Sequence, residues 1–179
     1  WNSNTRWREA NNWNGCIYGS PKLIQEKIPY KSRVFVIEMN NDENIIEGIG
    51  LIQNVIEEKK YKTYDNKNFN RFTYVGQHRI DKSEFNSEEK EIIRVLEILL
   101  FKGSRHIKRS RGITLLSEWI LHNKKFDGAK EKKQKNNNNL NYKIKLLLHY
   151  GVKPELINKL INLNGVYNFC ELFNNMFKN

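Results

Sequence analysis

The clearest signal in the chain is an alternation of dense apolar runs with short polar links. Residues 33–39 (RVFVIEM) and 45–53 (IIEGIGLIQ) are rich in β-branched and aromatic side chains, and the link Asn40-Asn41-Asp42-Glu43-Asn44 has the composition of a turn. Together they predict a β-hairpin. The first strand is apolar on both faces except at Glu38, which predicts a central strand of a covered or closed sheet. Gly48 and Gly50 fall inside the second strand, where glycine marks a bend, a bulge or the close approach of another backbone or ligand. Residues 59–65 and 70–76 predict two more strands joined through NKNF, and GITLL at 112–116 a short one. Between them the period becomes helical. Ile92, Val95, Leu96, Leu99 and Leu100 share a helix face, Asn86 with Glu89 forms a capping box, and Gly103 supplies the stop.

The ends of the chain read differently. Residues 1–20 scatter aromatics among Asn, Gly and Arg with no helical period, which predicts a loop-rich segment. PKLIQEKI (21–28) predicts a short helix with Ser20 as its cap, Pro21 at its first position and Pro29 ending it. Residues 122–139 are Lys-rich, poor in apolar residues and run into an asparagine tract, the composition of a linker or mobile insert. Beyond them come three short amphipathic helical patterns, in YKIKLLLHYG, KPELINKLINLNG and VYNFCELFNNMF. The expected organisation is a domain over 1–121, a linker over 122–139 and a helical extension over 140–179.

Composition narrows the function. The 179 residues carry 31 Lys and Arg against 20 Asp and Glu, a net charge of +11. Such a surplus favours a polyanionic partner, with nucleic acid ahead of an anionic membrane or an acidic protein. No apolar run approaches the ~18 residues that span a bilayer. The two cysteines, Cys16 and Cys170, lie far apart without a CxxC motif, so neither a disulfide framework nor a zinc site is expected. That places the chain in an intracellular, reducing compartment, cytoplasm or nucleus. It opens on Trp1 rather than Met, as a trimmed or processed piece would, and any upstream signal is invisible.

The segment WREANNWNGC, the strand VFVIEM with its return EGIGLI, and the basic run HIKRSRGITLLSEWI before Trp119 together resemble the PUA-like superfamily, in its EVE, YTH and ASCH branch, over about residues 7–120. The resemblance implies an α+β fold: a small curved β-barrel with flanking helices, here followed by the helical extension. It also implies a pocket for a modified or flipped-out base. Trp13, Asn14 and Cys16 match the segment that lines the pocket in those families, and Asn40 takes the place of the asparagine on the YTH hairpin. The extension has no counterpart.

The residues support that reading on their own terms. A flat aromatic ring stacks on any base, worth ~1–3 kcal/mol by alanine substitution. Trp13 and Trp7 lie in a polar context where core burial is hard to arrange, and Tyr18 and Trp119 are candidate companions. Asn14 and Asn40 carry both donors and acceptors for a base edge. Asn40 serves equally well as a turn residue. Lys102, Arg105, Lys108, Arg109 and Arg111 fall in a loop between a helix stop and a strand, and Arg71 and Arg79 extend them. If all five loop cations neutralised phosphates of a single strand, log affinity would fall against log salt with a slope of roughly −3.5, from ~0.7 per contact.

Catalysis has little to stand on. No two of the four histidines show metal-ligand spacing, the paired carboxylates near residue 88 suit a helix start, and Cys16 has no indicated base. The expectation is therefore a non-enzymatic RNA-binding module without a cofactor. It reads a methylated adenine or an mRNA cap in an aromatic pocket, with Glu38 or Glu47 as the acid a cap would need, and RNA is favoured over DNA. Alternatives are a reader of modified DNA bases in a defence or restriction system, and a protein-interaction subunit acting through residues 140–179.

Overall fold

The computed structural model describes residues 2–24, 27–108, 112–116, 120, 142–162 and 169–178. The linker at 122–139, Arg109, Arg111 and Trp119 lie outside them. The fold is mixed α and β. Helix α1 (Asn2–Ala10) leads into β1 (Cys16–Ser20), the hairpin β2 (Arg33–Asn40) and β3 (Ile45–Gln53), then β4 (Phe72–Gly76), β5 (His78–Asp81) and helix α2 (Ser87–Phe101). Residues 142–149 form helix α3, followed by α4 (Pro154–Asn162) and α5 (Phe169–Met176). Among the described residues no helix is long and apolar enough to cross a membrane.

The strands make two antiparallel sheets, β1-β4 and β2-β3-β5. The predicted hairpin is present with the expected bounds. Its central strand is β3, whereas β2 lies at the sheet edge. β2 is apolar on both faces for a different reason than the one expected: Val34 and Val36 pack on the core around Cys16, Tyr18, Ile52 and Tyr74, while Phe35 on the other face stacks on Phe177 at 5.8 Å. The pairing slips after Glu38↔Gly48 to Met39↔Ile46, which leaves Glu47 as the extra residue of a β-bulge.

Four sequence expectations fail locally, each because side chains or distant groups take over the backbone. Residues 1–20 hold α1 and β1 rather than a loop. The helix is fixed by polar contacts, Asn4 to the Ile17 carbonyl and Arg8 Nε to Asn4 Oδ1 at 3.0 Å, so it has no apolar stripe to read. The described part of 21–28 is not helical: Ser20 ends β1, its hydroxyl donates to the Lys22 carbonyl, and the Ile24 amide donates to Tyr74 Oη at 3.1 Å. Residues 59–65 form no ladder, because the Asn70 side chain takes the Thr63 and Tyr64 amides and donates to the Tyr64 carbonyl. Residues 112–116 are also outside any strand, and Ile113 packs directly on the core of the two sheets.

The chain divides into two compact units, one of Trp1–Asn86, Arg109–Leu115 and Met176–Asn179, the other of Ser87–Lys108 and Leu116–Asn175. The regular elements described in the second unit are helices. From Val95 to Phe101, α2 is buried at every position except Glu97, so it is the central element there. Leu147, Ile157, Leu160, Phe169 and Phe173 bury the apolar sides of the later helices. α3 ends in a Schellman motif at Gly151 (φ 73°), with Val152 N bonded to the Leu147 carbonyl and Gly151 N to the Leu148 carbonyl.

In the first unit the glycines of β3 are cleared for side chains. A β-carbon on Gly50 would lie 2.0 Å from Tyr18 Oη and 2.8 Å from Cys16 Sγ, and one on Gly48 would lie 2.7 Å from an Arg79 guanidinium nitrogen. Gly50→Ala is therefore expected to destabilise the protein by about 1–3 kcal/mol through overpacking, read as a shift of the urea midpoint at unchanged m-value.

Candidate functional site

Two groupings in the first unit carry chemistry: a buried ionic network across the β-sheets and an aromatic cluster beside α1.

The network is centred on Glu38, which is 7% exposed. Glu38, Gly48 and Asp81 occupy equivalent positions on three neighbouring strands, so their side positions fall on the same face. Arg79 meets the Glu38 carboxylate in a fork, Nε to Oε1 at 3.0 Å and NH2 to Oε2 at 2.8 Å, and its NH1 reaches Asp81 Oδ2 at 2.9 Å. Tyr18 Oη donates to Glu38 Oε1 at 2.7 Å, and Arg8 NH2 stands 3.8 Å from Oε2. Two guanidiniums thus face two carboxylates, Glu38 in the interior and Asp81 at the exposed end of the network. Burial and the adjacent Glu38 carboxylate push the Tyr18 phenol well above its ordinary range, so it remains a hydrogen-bond donor. For Asp81 burial acts upward, but the Ser83 amide and Arg79 outweigh it and the net shift is downward. Next to this network, Glu47 accepts from Asn40 Nδ2 at 2.8 Å and pairs with Lys82 Nζ at 2.6 Å.

These contacts settle the placement of several predicted residues. Tyr18 faces the core and Glu38 rather than an aromatic pocket. Asn40 is buried; its Oδ1 accepts from the amides of Asp42 and Glu43, so it organises its own turn. Arg79 belongs to the interior pair and not to a phosphate clamp. Cys16 is fully buried, with its thiol 3.4 Å from the His78 carbonyl and burial raising it to about 11. Among the described residues no three His, Cys, Asp or Glu side chains come together as metal ligands.

The aromatic cluster is built by the end of α1. Asn12 takes a left-handed conformation (φ 47°), Asn12 N bonds to the Glu9 carbonyl and Trp13 N to the Arg8 carbonyl at 2.9 Å. This is a Schellman stop with asparagine in the place usual for glycine. Trp13 stands in the position that packs back on the last helical turn, and Trp7 is the residue it meets, at 5.6 Å between centroids. Tyr61 closes the group, edge-on to Trp7 at 5.7 Å and to Trp13 at 5.5 Å, with Lys59 Nζ 5.3 Å from its ring centre. All three rings are half-buried. No two are parallel, so the described rings form a tilted wall and not a slot. The Trp13 indole Nε1 is buried and, among the described residues, has no acceptor.

The pairing of Trp13 with Trp7 follows the expectation, and Tyr61 is the ring that sequence reasoning missed. Its KKYK context carries only a charge signal; the Asn12-Trp13 pair after the helix was the readable sign for Trp7. Asn14 is exposed next to the cluster in sequence. Arg71 is exposed, its guanidinium 5.3 Å from the Phe72 ring centre. Lys102, Arg105 and Lys108 lie in the second unit, outside helix or strand, with Lys102 over Tyr150 and Arg105 over Tyr142 at 5.9 and 4.9 Å.

Glu38→Ala is expected to cost about 3–5 kcal/mol in denaturant unfolding, because it leaves Arg79 underpaired and Tyr18 Oη without its acceptor. Cys16 should resist alkylation in the native state up to about pH 10 and react once the chain unfolds, as peptide mass mapping would show. Because the folded thiol titrates near 11 against an ordinary 9.0, its contribution to stability is intact below pH 9 and is lost as pH rises through 11. In comparisons with known proteins, no family model matches this chain, and no curated protein or solved structure is significantly similar to it.

Proposed function

We propose that this chain is an RNA-binding module that holds one unstacked nucleobase against the Trp7–Trp13–Tyr61 wall, and that its two sheets are the facing halves of a PUA-like barrel. The observation that carries the reading is the Trp13 indole N–H, buried at the edge of a half-exposed aromatic group with no acceptor among the described residues. A buried donor left unpaired costs about 1–3 kcal/mol, and a base offers ring nitrogens and carbonyls to satisfy it. Stacking on an indole adds a comparable amount.

The engagement of the two acids expected to serve a cap, Glu38 and Glu47, favours a neutral methylated base, such as a methylated adenine, over a cationic cap read by either of them. A 7-methylguanine cap calls for a nearby free acid. Glu38 is committed to Arg79 and Tyr18, and Glu47 to Asn40 and Lys82, while the charge over Tyr61 is the cation of Lys59. The net charge of +11 supplies long-range attraction to the phosphate backbone, with Lys102, Arg105 and Lys108 as contributors.

A titration of the full chain with matched single-stranded RNAs, one carrying a methylated adenine, tests this directly. The methylated strand is expected to bind more tightly, and Trp13→Ala to weaken it about tenfold while circular dichroism stays native. Equal affinity for both strands, or a Trp13→Ala variant that binds as the parent does, refutes the reading. Preference for a hemimodified DNA duplex in the same assay would move the protein to the modified-DNA class.

A further inference from the structure

A second aromatic feature lies in the turn that precedes β2. Tyr30 is 70% exposed, more than any other large hydrophobic side chain among the described residues. Single exposed apolar residues are ordinary, but this one is held out on a rigid mount. Asn54, just past β3, receives the Lys31 amide on its carbonyl at 3.2 Å and gives its own amide to the Ser32 carbonyl at 2.8 Å. Its side chain donates to the Ile28 carbonyl at 2.8 Å and to the Pro29 carbonyl at 3.3 Å, and Ser32 N closes the turn on the Pro29 carbonyl. Pro29 fixes the residue before the tyrosine. Lys31, immediately after it, sits at φ 65°, a left-handed conformation that costs a lysine roughly 1–2 kcal/mol.

Lys31 Nζ stands 5.5 Å from the Tyr30 ring centre. Lys27 and Arg33, three positions before and after it in the chain, are also exposed. The result is an exposed flat ring on a hydrogen-bonded turn with one cation beside it and two more within three positions along the chain, which matches the two demands of a single-stranded polynucleotide: a face for a base and cations for its phosphates. A protein partner would use the ring but would not call for the cations, and a rigid tyrosine loses little side-chain entropy on contact.

We infer that Tyr30, with Lys27, Lys31 and Arg33, forms a sequence-tolerant stacking post for single-stranded nucleic acid, separate from the Trp7–Trp13–Tyr61 wall. The post holds an unmodified stretch of strand and makes no distinction between methylated and plain bases.

Fluorescence anisotropy of the full chain with unmodified fluorescein-labelled oligouridylate and oligothymidylate tests it. Tyr30→Ala is expected to bind at least one of the two about tenfold more weakly, the loss of one stacked base, with an unchanged melting temperature. Tyr30→Phe should bind like the parent, since stacking does not use the hydroxyl. Lys31→Gly should match or exceed the parent in thermal stability, because it relieves the left-handed lysine, yet bind more weakly. A parent chain that binds neither strand, or a Tyr30→Ala variant that loses affinity for neither, overturns the inference, as does a Phe variant as weak as Ala. Trp13→Ala in the same assay separates the two sites: the wall can fail its methylation test while the post passes this one, and the reverse.

Discussion

The fork between Arg79 and Glu38 organises the first unit. A carboxylate buried to that degree needs a paired cation and further donors, and here one guanidinium supplies two bonds to it while Tyr18 supplies another. The pair spans from β2 to β5, and Tyr18 brings β1 into it. It fits only because Gly48 and Gly50 on the intervening strand have no β-carbon in the way. Arg8 of α1 approaches the same carboxylate at 3.8 Å. Four elements therefore share one anion, and the position of α1 is set by a charge rather than by an apolar stripe.

The placement of α1 carries through to the aromatic wall. Trp7 is on the helix, Trp13 is folded back by the left-handed turn at Asn12, and Tyr61 comes from the segment that Asn70 holds in an irregular path. The wall stands on local backbone chemistry at its first two members and on a distant side chain at the third. Its indole N–H is buried and, among the described residues, has no hydrogen-bond partner. The first unit thus engages Glu38 and Glu47 in its interior and shows rings with cations at its surface, at Tyr61 with Lys59 and at Tyr30 with Lys31.

Patterns that depend on apolar spacing were legible in the chain. The hairpin, α2 and its stop, β4, and the three C-terminal helices were read from period and from Gly and Pro positions. Elements held by polar side chains were not. α1 rests on Asn4 and Arg8, residues 21–28 on Ser20 and Tyr74, and residues 59–65 on Asn70. Asn, Ser and Tyr compete with backbone ladders over distances that a window along the sequence does not cover. Of the candidate site residues, Trp7 and Trp13, picked out by their polar surroundings, lie together at 5.6 Å, whereas Tyr18, Cys16, Asn40 and Arg79 have the same residue chemistry as pocket groups and turned out to be interior.

By itself the sequence determined the charge balance, the hairpin with its glycines, and the three short helices after residue 140, because each follows from composition or from spacing along one element. Tertiary structure alone decided which polar groups face one another. A glutamate can meet an arginine, a lysine or a ligand, and its neighbours in the chain do not distinguish them. The choice was made where β5 laid Arg79 across Gly48, forty-one positions after Glu38, and so took that acid out of reach of any ligand.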